Sequence, residues 1–503
     1  MRTGIERLRV VLIKPSKYRP DGTVERFRTG FMPSATLYHI ASLTPREVSG
    51  RTPEVHVVDE SVRQDLGYLQ LLHRHVGTTT LVALVGVQSH QFHRALDLAA
   101  YARTHGVKHC VIGGPHPMTC DTRFLQNRGV AFALAEAELI WREILHDAVA
   151  GELKPVYGGA QRWAEVLPGV VIDPPSPEDL LHYWAPMLGL YPVRGCPYQC
   201  KYCSVIKIAG RHVRSPPIES TLESLRRARN AGIRMVMFVS DNFNKFPDIR
   251  QLLEEMIRQD LGLSFHCQCD TQIARDPALI ELMGRAGCYE IFVGVESISR
   301  DTLKAAGKFH NDPARYEALV RMCREAGIRA HFSNIIGFPD QDESAVRSHV
   351  DALKQLSPTI VSFYILTPIP GTEQYHEFRS AGLINERNLD RFDATHATWD
   401  HPNLSGAELE RLLYQCYVDY CDFLRKKGGL PAKDRRDVEF IRYMAAHRMH
   451  PMSGGIDRVV LDRAADYSDL RRNLYGIDLV PLPDNLQLSP QDEALNRRRN
   501  SAG

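Results

Sequence analysis

Two stretches of this 503-residue chain alternate β-branched runs with amphipathic helices, and one stretch dense in proline and glycine separates them. That alternation admits few architectures, because strands with a helix between each pair build parallel sheets carrying helices on their faces. In the first series the runs are LRVVLIKP (8–15), EVHVVDE (54–60), LVALVGVQS (81–89) and HCVIGGPHP (109–117). HRALDLAAYARTHG, between the last two, is apolar at helical spacing and closes on Gly106, a helix stop. GELKPVYGGA, LPGVVIDPPSPEDL and YWAP break the pattern between residues 152 and 187, which marks a linker. The second series starts at GLYPVRGCPYQC and continues through RMVMFVSDN, LSFHCQC, YEIFVGVES, RAHFSNIIGFP and IVSFYILTPIP. Helices such as IESTLESLRRARNAG separate these runs, and such repeated units predict a full or partial parallel barrel. After residue 385 the pattern is mostly helical, and the closing SPQDEALNRRRNSAG predicts a disordered polar tail. The expected fold is α/β, with units at 1–150, 189–385 and 386–503 and a linker at 151–188.

Composition excludes several function classes. Apolar residues make up 44% and charged residues 24%, and a net charge of +2 gives no basic field for nucleic acid. The apolar run at the start is followed at once by Lys14 and Lys17, so it reads as a first strand and not as a signal peptide. No stretch reaches the ~18 consecutive apolar residues of a membrane span. The expected location is the cytoplasm, where thiols stay reduced. Seven of the eleven cysteines, Cys110, Cys267, Cys269, Cys288, Cys323, Cys416 and Cys421, lie in apolar or helical runs and read as small buried hydrophobes.

RGCPYQCKYCS (194–204) is different, placing Cys196, Cys200 and Cys203 within eight residues. Structural zinc takes four ligands, whereas three thiolates on an iron–sulfur cube leave one iron open, and an open metal position is where chemistry occurs. The competing use is a zinc site completed by His182 or His212. Tyr202, just before the last cysteine, is expected to shield the cluster.

This Cys-x3-Cys-x2-Cys with an aromatic before its last cysteine resembles the radical S-adenosylmethionine (SAM) superfamily, over residues 190–378. The resemblance implies a [4Fe–4S] cluster on Cys196, Cys200 and Cys203. Its open iron would bind the amino and carboxylate groups of SAM, and its electron would cleave the sulfonium to a 5′-deoxyadenosyl radical. Asp241 and Asn242, in FVSDNF, match the motif at SAM's amino group. Gly294, Glu296 and Ser297, in GVES, match the segment at the ribose, and Gly337, in IIGFPDQDE, the strand that packs on adenine. TPIPGTEQY (367–375) matches the sixth-strand end of the branch with an added N-terminal domain.

VVDES, GVQSHQFHRALDLAAYAR, VIGGPHP and AEAE make the first unit resemble the Rossmann-like cobalamin-binding domain of class B radical SAM enzymes. The cobalamin contacts this implies are Ser89, His90, Gly113, Gly114, Pro115 and Glu136; Lys14, Asp59, Gln88 and His116 also stand at strand ends. Two departures are plain: there is no Asp-x-His-x-x-Gly, and Ala135-Glu136-Ala137-Glu138 stands where Gly-Glu-Gly-Glu is usual. The implied activity is methylation of an unactivated carbon of a small-molecule, lipid or natural-product substrate, held between the first sheet and the barrel mouth. The implied partners are that substrate and a reductant such as flavodoxin or ferredoxin, with no nucleic acid. Cyclisation or skeletal rearrangement by the same architecture is the alternative. tRNA methylthiolation would require further cluster cysteines in the first unit, which has only Cys110 and Cys120. Tyr364, Cys267 and Cys269, and His396, Trp399 and His401 from the C-terminal extension, are further candidates for substrate contact.

Overall fold

The computed structural model describes residues 7–159, 161–451 and 460–486, and the expected polar tail lies outside the described residues. Six parallel strands make a first sheet in the order β2-β1-β3-β4-β5-β6. They are β1 (Arg7–Lys14), β2 (Pro53–Asp59), β3 (Thr78–Leu84), β4 (His109–Gly113), β5 (Ala131–Ala133) and β6 (Val156–Tyr157). Val10 to Ile13 in β1 and Leu81 to Leu84 in β3 are all buried, as strands covered on both faces require. The four long strands fall on the runs read from sequence. β5 and β6, of three and two residues, are too short to show a pattern, and they carry the sheet past residue 150.

The second sheet runs β12-β11-β10-β9-β8-β7, every pair parallel and in chain order, with β7 and β12 as its open edges. Its strands are β7 (Met187–Leu190), β8 (Met235–Phe238), β9 (Ser264–Cys269), β10 (Cys288–Glu296), β11 (Arg329–Ile336) and β12 (Ile360–Ile365). This is a partial (β/α)6 barrel. Strand alternation sorts its side chains. Phe265, Cys267 and Cys269 of β9 join the hydrophobic core with Phe238 and Phe243, so neither cysteine faces the mouth. His266 points inward, 3.9 Å from Glu290 of β10, which lies 2.9 Å from His331 Nδ1 of β11.

The C-terminal extension ties the two sheets together. Helix Gly406–Lys427 opens on a capping box between Ser405 and Glu408, and its Tyr417 hydroxyl accepts from Phe363 N–H of β12 at 2.9 Å. The chain then returns to the first unit, where helix Ala465–Tyr475 packs on helix Phe92–Thr104. Asp462 accepts from Arg26 and Arg94, both of which also hold buried Glu60, and Arg471 grips Asp97 at 2.9 Å. Charges this buried persist only when paired on all sides. Among the described residues no helix is long and apolar enough to cross a membrane.

Candidate active site at the facing strand ends

The loop after β7 carries the three cysteines, and its backbone is fixed on both sides. Arg194 and Arg214 exchange backbone hydrogen bonds at 2.8 and 2.9 Å, and Cys196 N–H donates to Gly210 C=O at 3.1 Å. Gly195 sits between them at φ +95°, where a side chain would meet His212 C=O at 2.2 Å, so only glycine lets the strands approach. Cys196, Cys200 and Cys203 are partly exposed, whereas the other eight cysteines are buried. Burial pushes the Cys196 thiol up to about 11 and Cys203 up to about 12, so a bound metal is what draws these protons off. Among the described residues no three His, Cys, Asp or Glu side chains converge closely enough to hold a single ion. A cube, whose thiolates each take a separate iron, spaces its ligands more widely than a zinc tetrahedron does. Three unpaired thiols on one loop are themselves a donor set that fits a cluster. The Tyr202 ring packs with Ala306 and Trp399 beside this loop, with Lys308 Nζ 5.9 Å from its centroid.

The residues matched to SAM lie around that loop. Asn242 Nδ2 donates to Cys196 Sγ at 3.0 Å, and the Asp241 carboxylate accepts from Gly195 N–H at 3.2 Å. Burial raises the pKa of Asp241, disfavouring a carboxylate left without a cation at the end of β8. In β10 the register with β11 shifts between Gly294 and Glu296, and Glu296 takes a φ of 62°. Such a bulge re-aims a side chain, here onto Lys308, whose ammonium donates to Glu296 Oε1 at 2.9 Å. A side chain at Gly294 would meet Glu296 Oε1 at 2.7 Å and Lys308 Nζ at 3.0 Å, so the glycine makes room for the pair. Ser297 and Gly337 have structural partners: the Ser297 hydroxyl accepts from Ser299 N–H, and a side chain at Gly337 would strike Leu409 at 2.7 Å.

A cavity of about 970 Å³ opens between the two sheets, and the carboxyl ends of both line it. The first sheet contributes Lys14, Asp59, Gln88, Gly113, Gly114 and Pro115; the second contributes Arg194, Met237, Asp241, Gln268 and Tyr364. Within the first unit the walls are Ala83, Val111, Gly113 and Ala133 on the strands, against Ile140, Trp141 and Ile144 on helix Ala137–Ala150. Small side chains on one wall and long ones on the other leave a narrow apolar space. Gly114, at φ +131°, is needed for a different contact, since its side chain would meet Val87 N at 2.2 Å. His90 lines the cavity, and burial lowers it to about 3, so it is neutral there. Ser89 stands behind the wall, its hydroxyl 3.0 Å from Nδ1 of buried His116.

Glu136 lines the cavity and also pairs across it. Its two oxygens accept from Arg214 at 2.8 and 2.9 Å, and Ala164 N–H donates to one of them. Glu138 holds Arg194 at 2.7 Å and His39 at 2.7 Å. Both glutamates of the AEAE segment thus grip the arginines that flank the cysteine loop, fixing one sheet's strand ends against the other's.

The central unit is decided by the family whose model it matches, the Radical SAM superfamily, over residues 190–353. The central unit is a radical SAM domain. Such a domain binds SAM and a [4Fe–4S] cluster. Bacteriochlorophyllide d C-12(1)-methyltransferase of Chlorobaculum tepidum is 28% identical over 309 residues, covering 59% of this chain and 66% of that one. Bacteriochlorophyllide d C-8(2)-methyltransferase of the same organism is 24% identical over 416 residues, covering 76% and 84%. The radical SAM methyltransferase TsrM from Kitasatospora setae, solved with cobalamin and a [4Fe–4S] cluster bound, matches at a TM-score of 0.63 and 18% identity. That match covers 89% of this chain and 98% of that one, so the radical SAM domain and the first sheet share one fold with it.

Sequence reasoning missed several residues at this site. Lys308 and Arg214 carry no motif of their own; the pairing of Lys308 with Glu296 and of Arg214 with Glu136 exists only in the fold. Asp393 and Thr395 also line the cavity, and Asp393 pairs with Lys17 at 2.5 Å. His396 reaches the site through Asp393, at 2.9 Å, and Thr395, at 3.2 Å, while Trp399 donates to Leu366 C=O and His401 bonds Phe338 C=O.

Proposed function

We propose that this chain is a cobalamin-dependent radical SAM methyltransferase acting on an unactivated carbon of a small-molecule, lipid or natural-product substrate. The observation that carries the reading is the shared cavity: the strand ends of the radical SAM domain and of the first sheet face one cleft. The apolar space between Ala83, Gly113 and Ala133 and helix Ala137–Ala150 fits part of a large planar cofactor. Cys196, Cys200 and Cys203 would hold the cluster, and the walls formed by Gly113, Pro115 and Ala135 would hold cobalamin. Bound there, the cluster and SAM supply a carbon-centred radical generator and cobalamin supplies a methyl group.

The chain's own residues orient and exclude. Asp241 offers a carboxylate for an ammonium at the end of β8, and Glu296, fixed by Lys308, offers an acceptor for hydroxyls. Arg194 and Arg214, held by Glu138 and Glu136, keep the two sets of strand ends at one spacing. Position of this kind is worth several orders of magnitude in rate when two reactants must meet. Tyr364, Asp393 and neutral His90 are among the polar side chains that would contact a substrate. Two relatives named as methyltransferases of bacteriochlorophyllide d support a bulky, largely apolar substrate. Eleven unpaired cysteines suit a reducing cytoplasm, where flavodoxin or ferredoxin supplies electrons.

Anaerobic reconstitution with iron, sulfide and cobalamin, followed by SAM and a reductant, tests the reading. It predicts 5′-deoxyadenosine and S-adenosylhomocysteine together; 5′-deoxyadenosine alone in the presence of cobalamin and substrate points to cyclisation or rearrangement.

A further inference from the structure

Helix Ala432–Ala446 buries Val438, Ile441, Met444 and Ala445 on one side. Its other side, at i, i+4, i+7 and i+11, presents Arg436, Phe440, Tyr443 and His447. Tyr443 is 46% exposed, and its ring lies 4.2 Å from that of His447. Trp184, 50% exposed, stands 6.3 Å from Phe440 and 4.9 Å from Phe31, and Leu181, three residues before it, is 82% exposed. Phe31 lines the cavity, so this row of rings runs from the open surface to the cavity wall. A lone exposed ring carries little meaning, but a contiguous row of them marks an interaction site.

The same region concentrates positive charge. Residues 425–450 hold eight Lys or Arg and three Asp or Glu, a balance of +5, whereas the whole chain carries only +2. All three acids are engaged: Asp434 and Asp437 hold Arg329, at 3.5 and 2.8 Å, and Glu439 holds Arg425 at 2.7 Å. Asp422, on the preceding helix, takes Arg442 at 2.6 Å. Lys433, Arg435, Arg436 and Arg448 are exposed, and among the described residues no carboxylate pairs with Lys426, Arg436 or Arg448. On the linker side Glu178 is exposed, and Asp179 accepts from the Ser176 hydroxyl at 2.8 Å. The basic charge therefore belongs to the helix and its flanks.

We propose that this face seats the enzyme on an anionic lipid bilayer, and that the substrate reaches the cavity from there. The inference rests on the reading of a bulky, largely apolar substrate, because such a molecule dissolves in a bilayer rather than in water. A helix with cations and aromatic rings on its outer side lies in the interfacial plane, with its rings at the boundary between acyl chains and headgroups. Trp and Tyr suit that depth, having an apolar body and a polar tip. The unpaired cations add attraction to anionic headgroups. An acidic protein could meet the same surface, but the row from Trp184 to Phe31 leads into the cavity, where a lipid-soluble molecule follows and a protein does not.

Sedimentation of the full chain with vesicles tests the proposal, using phosphatidylglycerol mixed with phosphatidylcholine, or phosphatidylcholine alone. Wild type is compared with Trp184→Ser and Arg436→Glu. Wild type binds the anionic vesicles more than about tenfold more tightly than the neutral ones, and the difference shrinks between about 0.05 and 0.5 M salt. Trp184→Ser weakens binding about tenfold through the apolar area it removes. Arg436→Glu weakens it roughly fivefold for each unit of charge changed. SAM cleavage driven by dithionite in the absence of lipid is unchanged in both variants. No vesicle binding, equal binding to both vesicle types, or wild-type binding by either variant overturns the proposal. A concentration-dependent dimer that Trp184→Ser abolishes also overturns it, and assigns the face to a second copy of this chain. Formation of 5′-deoxyadenosine and S-adenosylhomocysteine without vesicle binding sinks the docking alone, whereas vesicle binding without those products counts against the methyltransferase reading instead.

Discussion

Asn242 Nδ2 lies 3.0 Å from Cys196 Sγ, so a side chain at the end of β8 donates directly to a thiol of the cysteine loop. A hydrogen bond to a ligand sulfur favours the more negative, reduced state of a cluster and raises its potential. Asn242→Ala is expected to leave iron content unchanged and to lower the potential. A net hydrogen-bond energy of ~0.5–1.5 kcal/mol corresponds to roughly 20–60 mV for one electron. A redox titration followed by electron paramagnetic resonance checks this, and an unchanged potential would remove Asn242 from the cluster's surroundings.

Lys308 and Glu296 form a buried pair at a bulge where the glutamate backbone is left-handed. Lys308→Met leaves that carboxylate buried and unpaired, which typically costs ~3–5 kcal/mol. The urea midpoint should fall accordingly, and SAM affinity with it. Adding Glu296→Gln should recover most of the stability but not the SAM affinity, a coupling that a double-mutant cycle reads directly.

What could be read from the chain depended on how local the physics was. The cysteine triad was legible because it falls within one loop, and the strands β1 to β4 because each carries three or more apolar residues. The grip of Glu136 on Arg214 was not legible, since its partners lie 78 positions apart and neither sits in a periodic run. AEAE lines the cavity, and its glutamates also pair with arginines across it. Likewise nothing local to Asp462 announces that it completes a cluster with Arg94, 368 positions earlier. Cys267 and Cys269 read as small buried hydrophobes, with substrate contact as the lesser alternative, and the pairing of β9 with its neighbours places both in the core.

Buried histidines predict the acid response. Burial lowers His90 and His116 each to about 3, from an unfolded value near 6.5. Both are neutral in the fold, so between those values the unfolded state binds more protons. Their contribution to stability is complete above pH ~6.5 and is lost as pH falls toward 3, at up to about 1.4 kcal/mol per pH unit for each. Urea midpoints at successive pH values should show this slope, and His116→Asn should reduce it by about one proton.

The Arg214–Glu136 and Arg194–Glu138 pairs predict how the two sheets depend on each other. Arg214→Met strands buried Glu136, with an expected loss of ~3–5 kcal/mol. Because the cavity walls come from both sheets, cobalamin affinity should fall as the strand ends lose their fixed spacing, while Cys196, Cys200 and Cys203 still take up iron. Spectrophotometric cobalamin titration alongside iron analysis separates the two effects.

The most direct test of the shared cavity is product analysis of the anaerobically reconstituted protein supplied with methyl-deuterated SAM, cobalamin and dithionite. The account predicts that 5′-deoxyadenosine and S-adenosylhomocysteine both form, that both are lost in Cys203→Ser, and that omitting cobalamin abolishes only the S-adenosylhomocysteine. Iron-loaded protein that forms no 5′-deoxyadenosine, or S-adenosylhomocysteine formation indifferent to cobalamin, would contradict it.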